Sequence, residues 1–281
     1  MRFPFYDYLF LCKFVIKYSQ MKKFVRDMLV SSKVKLNDNH VLITLTNPPG
    51  GDVLPEMIPG QFVQVLVEGS PDTFLRRPIS INDVDYENQE LSLLVQKKGK
   101  GTECLMSLSA GDKLNLVFPL GGRGFTFPSA GERILLVGGG VGVAPLLFFG
   151  RELRRRGVVP TFLLGARSAD MLLERDKFEA IGNVYITTED GSAGEMGFVT
   201  QHSLFEKETF QRMAVCGPDP MMKAVAGVAQ KHGIECEVSL ENMMACGVGA
   251  CLCCVEKTTR GNVCVCQDGP VFNINELTWL N

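Results

Sequence analysis

Residues 133–145 read RILLVGGGVGVAP, an apolar run followed by four glycines within five residues and then by Pro145. Short apolar runs are typical of buried parallel strands, and proline is tolerated in the first turn of a helix. The stretch therefore predicts a strand, a glycine-rich turn and a helix that extends to about Arg156. At such a turn, Gly140 and Gly142 allow a pyrophosphate to come close to the backbone.

Three further apolar runs follow, at residues 161–164, 184–187 and 213–216, with segments of helical character between them. Strands that alternate with helices predict a parallel α/β sheet with right-handed crossovers. The last run ends at Cys216 and Gly217, so a second nucleotide-contacting loop is expected at the carboxyl edge of the sheet. However, the third glycine of the dinucleotide fingerprint is missing, and no acidic residue follows about 20 positions later, which weakens the case for an ordinary dehydrogenase.

The region from Phe24 to Phe127 has a different pattern, with short β-rich runs between turn clusters such as residues 47–51, NPPGG. This spacing predicts an antiparallel barrel or sandwich. The expected fold is therefore an antiparallel β-barrel domain joined to a parallel-sheet α/β domain, with a small cysteine-rich subdomain at the C-terminus.

Two motifs in the barrel region indicate a flavin site. Residues 74–81, FLRRPISI, place Arg77 and Ser80 where an arginine fork can hold a diphosphate while a hydroxyl reaches a ring nitrogen. Residues 96–105, QKKGKGTECL, predict a turn through Gly101 and a short helix that begins near Thr102, and free N–H groups at a helix start bind anions. Taken alone, residues 74–81 favour an ordinary surface loop, and residues 96–105 are equally compatible with a solvated hairpin turn.

Cysteine spacing is the most specific feature of the sequence. Ten cysteines are present, and six of them lie between Cys246 and Cys266. Cys246, Cys251 and Cys254 have the C-x4-C-x2-C spacing of plant-type [2Fe–2S] proteins, in which four thiolates hold two irons. Zinc is the competing interpretation, although zinc sites usually pair two C-x2-C motifs.

The fourth thiolate is less certain than the first three. Cys264 and Cys266 stand two apart in an expected strand, so their side chains should face the same way. Spacing alone therefore does not choose between them, whereas Cys253 falls outside the motif.

Charge and the N-terminal residues exclude several classes of function. The chain has 29 Lys and Arg against 31 Asp and Glu, so no basic surface for nucleic acid is expected. Residues 1–20 are rich in aromatic side chains, but charges interrupt them before the roughly 18 apolar residues that a membrane span requires. We expect residues 1–20 to be a dispensable extension. An over-extended start site is favoured over a real amphipathic extension as the explanation of these residues. Clustered cysteines without a predicted signal peptide indicate a reducing, cytoplasmic location.

Taken together, these motifs resemble those of the ferredoxin reductase superfamily. Residues 241–251, ENMMACGVGAC, and residues 266–272, CQDGPVF, are similar to the electron transfer subunits of type B dihydroorotate dehydrogenase. The likeness runs from about Met21 to the C-terminus, and only the cysteine motif with DGPVF is specific. Gln267 stands where that family commonly has lysine.

The resemblance implies domains and site residues. It implies an FAD-binding barrel over residues 21–128, an NAD-binding α/β domain over 129–236 and a [2Fe–2S] subdomain over 237–281. FAD contacts fall on Arg77, Pro78, Ile79, Ser80, Leu94, Val95, Gln96, Gly101 and Thr102. NAD contacts are expected at Gly140, Gly142, Pro145, Cys216 and Gly217, and cluster ligands at Cys246, Cys251, Cys254 and Cys266.

The resemblance also implies a partner and an activity. An FMN-containing catalytic subunit would oxidise dihydroorotate within a heterotetramer of two plus two subunits, and this chain would pass the electrons through [2Fe–2S] and FAD to NAD⁺. None of the three histidines lies in a motif, so no catalytic base is expected here. The alternatives are a subunit of an NAD(P)H-dependent ferredoxin reductase or sulfide dehydrogenase, and a zinc-stabilised binding module. Arg167 could meet the 2′-phosphate of NADP, so the choice of NAD depends on the resemblance.

Overall fold

The first half of the chain forms a closed antiparallel barrel in the computed structural model, which describes residues 22–280. The predicted extension at residues 1–20 lies outside the described residues. The strands follow the order β1-β2-β5-β4-β3-β6 around the barrel. Their bounds are β1 Phe24–Asn37, β2 His40–Thr46, β3 Phe62–Val65, β4 Arg77–Asp85, β5 Glu90–Gln96 and β6 Lys113–Leu120, and helix α1 (Lys100–Ser107) connects β5 to β6.

Alternating apolar residues fill this barrel. Ile43 and Leu45 on β2, and Leu91 and Leu93 on β5, are buried in one cluster. Residues two apart on a strand face the same side, so these runs line the interior. Closure also pairs every strand edge, and the barrel predicted from the sequence is confirmed.

A seven-stranded sheet forms the second half of the fold, with the order β10-β9-β8-β7-β11-β12-β15. Every neighbouring pair is parallel except β12 and β15, so the predicted parallel sheet is confirmed. The strands are β7 Ile134–Gly139, β8 Thr161–Ala166, β9 Asn183–Thr188, β10 Glu195–Met196, β11 Arg212–Cys216, β12 Glu235–Ser239 and β15 Val271–Asn273. The helices are α2 Ala144–Arg155, α3 Arg175–Glu179, α4 Leu204–Lys207 and α5 Asp219–His232.

The C-terminal residues combine a hairpin with a short helix. Strands β13 (Val255–Thr258) and β14 (Gly261–Cys264) pair antiparallel, and α6 (Val265–Asp268) follows directly. The expectation that Cys264 and Cys266 share a strand is therefore wrong. The Asp268 carboxylate accepts a hydrogen bond from Cys264 N–H at 2.8 Å, and such local bonds compete with strand continuation.

The C-terminal residues also complete the large sheet through β15. The expected boundary between residues 236 and 237 falls inside β12, which spans Glu235–Ser239. The three domain ranges remain a prediction. Of the helices in residues 22–280, none is both long and apolar enough to cross a membrane.

Helix α2 joins the barrel to the sheet. Phe148 packs inside the barrel cluster, whereas its neighbour Phe149 belongs to the cluster beneath the sheet. Phe149 also stacks on Phe125, with ring centroids 5.0 Å apart. Consecutive side chains of one helix thus enter two cores, which fixes the helix against both.

We expect Phe148→Ala to lower the free energy of unfolding by about 3–5 kcal/mol, because it removes a buried ring and leaves a cavity. Urea denaturation measures this change. The matched control is Phe198→Ala, since Phe198 is 60% exposed and its loss should change stability by no more than about 0.5 kcal/mol. Equal effects of the two substitutions would contradict this role of α2.

Candidate functional site

A cleft of about 540 Å³ lies where the barrel, the sheet and the C-terminal segment meet. It brings together most of the residues predicted to contact FAD. From β4, β5 and α1 its lining includes Arg77, Pro78, Ile79, Ser80, Leu94, Gln96, Gly101 and Thr102. Val95 was also predicted to contact FAD, but its side chain is buried in the barrel core, because strand alternation directs it inward.

Arg77 and Gly101 are close neighbours in this cleft. A Cβ atom at Gly101 would lie 2.9 Å from Arg77 Nε, so glycine leaves room for the guanidinium. Arg77 Nη1 donates to Leu75 O at 2.7 Å, which orients the fork. A planar guanidinium beside the first turn of α1 is suited to a diphosphate.

Thr102 shapes the turn before α1. Its Oγ1 accepts hydrogen bonds from Lys98 N at 2.8 Å and Gly99 N at 3.1 Å. The hydroxyl therefore satisfies backbone donors of the turn, and the turn holds α1 with its N-terminus at the cleft.

Besides β4, β5 and α1, the cleft is lined by a fourth segment that the sequence did not predict. Residues 239–242 and Met244 line it, and they run from the carboxyl end of β12 to Cys246. β12 pairs in parallel with β11, so its end lies beside Cys216 at the same sheet edge. The position of this segment, directly before the cysteine loop, is a signal that could have found it.

The two predicted nucleotide loops lie in contact. Strands β7 and β11 pair in parallel with Gly138 opposite Cys216. A Cβ atom at Gly142 would lie 2.5 Å from the backbone of Gly217, so Gly142 allows the loops to pack together. In contrast, a Cβ at Gly140 would meet no atom within 4 Å, and Gly140 has a φ of +54° that favours glycine. Gly140 is therefore the glycine that faces open space.

Pro145 and Cys216 are both buried in the fold. Pro145 lies in the first turn of α2, as the sequence predicts, and it is buried. Cys216 is also buried, and burial raises the pKa of its thiol well above the usual value. A neutral thiol is a small apolar group rather than a nucleophile.

Backbone N–H groups in the cysteine loop point at sulfur atoms. Cys246 Sγ accepts from Val248 N and Cys251 N, each at 3.4 Å. Cys266 Sγ accepts from Gly249 N at 3.1 Å, and Cys254 Sγ accepts from Cys266 N at 3.4 Å. The contacts therefore associate Cys246 with Cys251, and Cys254 with Cys266.

Left-handed backbone lets the loop wrap in this way. Gly247 and Gly249 have φ values of +71° and +80°, and a Cβ at Gly249 would collide with the Gln267 side chain. Only glycine adopts such conformations routinely without steric cost. The loop thus directs its amides inward, toward the sulfurs.

The thiols of this loop differ in acidity. Although burial opposes ionisation of Cys246, the N–H groups of Val248 and Cys251 lower the pKa of its thiol to about 6. Burial and a hydrogen bond to Cys254 raise the pKa of Cys266 to about 12. A metal ion must therefore displace a proton at Cys266 on binding.

The donor set suits a two-iron cluster. Thiolates that accept N–H bonds are the usual environment of iron–sulfur clusters. Within residues 22–280, no group of three Cys, His, Asp or Glu side chains is arranged to hold a single metal ion. A [2Fe–2S] cluster needs only two protein thiolates per iron, which agrees with the two pairs.

Cys253 and Cys264 lie around this set. The Cys253 residue is exposed, and the Cys264 residue is partly buried at the end of β14. Burial and the neighbouring Cys254 raise the pKa of the Cys264 thiol. Cys266 is the more buried of the two candidates for the fourth ligand, and it receives an amide hydrogen bond from the loop.

Comparison with solved structures defines the class of protein. The NADH-dependent reduced ferredoxin–NADP oxidoreductase, a flavin-based electron-bifurcating enzyme, superposes with a TM-score of 0.78 and 32% identity over 90% of each chain. The cytochrome b5 reductase domain of Ulva prolifera nitrate reductase shares the fold, with a TM-score of 0.62 and 19% identity over 75% of this chain and 94% of that one. A model of the iron–sulfur cluster binding domain of dihydroorotate dehydrogenase B matches residues 241–278. The chain thus has a reductase fold with an iron–sulfur cluster binding domain.

Curated relatives define the family. The dihydroorotate dehydrogenase B (NAD(+)) electron transfer subunit of Lysinibacillus sphaericus is 39% identical over 252 residues, which cover 87% of this chain and 95% of the relative. The corresponding subunit of Shouchella clausii is 42% identical over 226 residues, 78% of this chain and 86% of the relative. The chain therefore belongs to the family of dihydroorotate dehydrogenase B electron transfer subunits. The resemblance found in the sequence is confirmed, and the family favours iron–sulfur over zinc.

We expect Cys266→Ser to weaken or abolish the visible [2Fe–2S] absorption, whereas Cys264→Ser leaves it nearly intact. Serine removes a soft thiolate but preserves size, so the change tests ligation rather than packing. Absorption and iron content per chain, measured on both purified variants, compare the two positions. Cluster loss in Cys264→Ser beside a normal Cys266→Ser would reverse the assignment.

Proposed function

We propose that this chain passes electrons from an FMN-containing catalytic subunit through a [2Fe–2S] cluster and FAD to NAD⁺. One observation carries the proposal: residues 239–242 and Met244 line the flavin-type cleft, and Met244 lies two residues before Cys246. A cluster held by this loop would lie beside the flavin. Because hydride transfer moves two electrons and an iron–sulfur cluster carries one, a flavin between them is required.

In this proposal the cleft holds FAD. Arg77 and the start of α1 would bind the diphosphate, and Ser80 would reach the ring. Gly101 leaves space for the arginine, and Thr102 holds the turn that orients α1. The apolar residues Pro78, Ile79 and Leu94 would exclude water from the flavin.

The cysteine loop would hold the cluster through Cys246, Cys251, Cys254 and Cys266. The paired contacts of their sulfurs support two ligands per iron. The amides of Val248 and Gly249 would stabilise negative charge on the sulfurs and so tune the reduction potential. Cys266 would have to lose its thiol proton to serve as a ligand, so we expect cluster assembly to release protons.

The dinucleotide would lie across the two glycine loops. Gly140 would face the pyrophosphate, Gly142 and Gly217 would keep the loops in contact, and Pro145 would start α2. Cys216 would form an apolar wall near the nicotinamide. NAD rather than NADP is supported by the relatives' description as NAD(+) electron transfer subunits.

The partner in this proposal is the FMN-containing dihydroorotate dehydrogenase catalytic subunit, in a cytoplasmic heterotetramer of two plus two. The relatives' description as a subunit supports a catalytic partner. We also propose the ranges 21–128, 129–236 and 237–281 as the FAD, NAD and cluster domains. The alternative is a ferredoxin reductase subunit, because the bifurcating oxidoreductase shares 32% identity over 90% of the chain.

Co-expression with a candidate FMN-containing dehydrogenase tests the proposal. The purified complex should contain FMN, FAD and iron, and dihydroorotate should reduce NAD⁺ only when both chains are present. Copurification with a second iron–sulfur flavoprotein in place of the dehydrogenase would favour the alternative. A colourless protein would contradict both.

We expect Arg77→Ala to weaken FAD binding roughly 10- to 150-fold, since a charge-assisted contact contributes about 1.5–3 kcal/mol. Equilibrium dialysis or flavin fluorescence gives the dissociation constant. Arg77→Lys serves as the control, because it retains the charge without the planar fork. Its affinity for FAD should fall between those of the unmodified chain and Arg77→Ala. Full flavin content in purified Arg77→Ala would count against this site.

We expect Gly140→Asp to weaken NADH binding at least roughly tenfold, because a carboxylate would face the pyrophosphate. Gly140→Asn is the matched control, since both residues tolerate the left-handed backbone and differ only in charge. Titration of each FAD-loaded variant with NADH measures the affinity. If the aspartate and asparagine variants bind NADH equally, this loop does not hold the pyrophosphate.

A further inference from the structure

A polar cluster lies between the barrel and the sheet, beyond the flavin-type cleft. It consists of Asn82 and Asp83 on β4, Arg151 on α2, and Glu174 and Lys177 at α3, and we call it the interdomain polar cluster. Two of the elements that carry it, β4 and α2, also contribute to the cleft. The first residues of β4 line the cleft, and so does Ala144 at the start of α2.

Each contact of the cluster across the interface is directional. Arg151 Nη1 lies 3.1 Å from Asp83 Oδ2. Asn82 Nδ2 donates to Glu174 Oε1 at 3.3 Å, and Lys177 Nζ donates to the same oxygen at 2.7 Å. The barrel strand is therefore held by two separate segments of the sheet domain.

A β-bulge makes this arrangement possible. The pairing of β4 with β5 steps from Ile81 to Asp83 and leaves Asn82 as the extra residue. Ile81 and Val84 both belong to the barrel core, while Asn82 and Asp83 both contact the sheet domain. In a regular strand, two consecutive side chains would face opposite sides, so the bulge directs both polar groups outward.

The cluster is costly to bury. Asn82 is fully buried, and the Glu174 side chain is 1% exposed. Within the part of the chain that the structure describes, Asn82 Oδ1, Glu174 Oε2 and Arg151 Nε are among the buried polar atoms without a hydrogen-bond partner. Burial raises the pKa of the carboxyl groups of Asp83 and Glu174.

Stability alone does not explain such a cluster. Apolar residues of similar size in place of a buried ion pair often leave a protein equally or more stable. The Asp83–Arg151 pair is only partly buried, with side chains 14% and 38% exposed, and such pairs contribute about 0–1 kcal/mol. Apolar packing is also non-directional, whereas hydrogen bonds and ion pairs favour one geometry, so the cluster adds a directional constraint to the packing of Phe148. The cluster therefore selects one arrangement of β4 against α2.

We propose that Asp83 and Glu174 are positioning residues that fix the gap between the flavin and dinucleotide sites. The proposal rests on the proposed function, in which NADH gives a hydride, two electrons with one proton, to the flavin ring, or the reverse. Arg151 stands seven residues after Ala144, about 10 Å along a rigid helix, so a shift at one end moves the other. Misplacement of reacting atoms by about 1 Å can slow a reaction on the order of 10²-fold.

The decisive variant is the apolar pair Asp83→Leu/Arg151→Met in the full-length chain loaded with FAD. We expect its melting temperature to stay equal or rise. FAD content and NADH affinity should remain close to those of the unmodified chain. However, flavin reduction by saturating NADH in anaerobic stopped flow should slow roughly 10- to 100-fold. The long-wavelength charge-transfer absorption of the reduced flavin with NAD⁺ should weaken as well.

Two further variants guard against a purely structural effect. The isosteric pair Asp83→Asn/Glu174→Gln should show the same slowing, and the charge-reversed pair Asp83→Arg/Arg151→Asp should recover part of the rate. Glu179→Gln is the control, because it breaks the exposed pair of Glu179 with Arg175 and should change none of these quantities.

Several results would overturn the proposal. An unchanged rate of flavin reduction in the Asp83→Leu/Arg151→Met variant would mean that the interdomain polar cluster does not set the gap between the flavin and dinucleotide sites. Loss of FAD from the isosteric pair would mean that the cluster maintains the flavin site itself. If NADH fails to reduce the unmodified chain, the proposed function is wrong and this proposal falls with it.

Discussion

The packing of α2 against β4 is the contact on which the rest of the molecule depends. β4 begins at the flavin-type cleft, and α2 begins at the glycine loop that follows β7. The cleft is lined by residues of the barrel, of α2 and the turn before it, and of the segment that follows β12. The buried ring of Phe148 gives this contact its strength, and the directional bonds of Asp83 and Glu174 give it one orientation.

The cysteine loop is built on a different principle. Its order comes from left-handed glycines and from amides that converge on sulfur, and much of its surface remains exposed, with Leu252 at 63%. Burial and the hydrogen bond to Cys254 raise the pKa of the Cys266 thiol, so Cys266 would have to lose a proton before it could serve as a metal ligand.

The sequence predicted features that depend on local periodicity or spacing. Short β-rich runs between turn clusters predicted the barrel, apolar runs predicted the parallel strands, and the C-x4-C-x2-C spacing predicted the cysteine loop. The sequence did not predict that β14 stops at Cys264, where the backbone N–H donates a hydrogen bond to the Asp268 carboxylate instead of continuing the strand. The roles of Gly140 and Gly142 also required the structure, since only the position of Gly217 shows which glycine faces open space. The bulge at Asn82 breaks the strand period, so alternation alone would have placed Asp83 inside the barrel.

Two kinds of electron transfer explain why rigid and exposed elements coexist here. Hydride transfer requires the donor and acceptor atoms in near contact, so its groups belong on a strand and a helix fixed by packing. Single electrons pass between centres that do not touch, so the cluster can be held by an exposed loop that a partner can approach. A chain that converts hydride transfer into single-electron transfer needs both a rigid element and an exposed loop, joined over a short distance. The segment from Ser239 to Met244 provides that junction, because it leaves the rigid sheet at β12, lines the cleft with five of its six residues and leads into the cysteine loop.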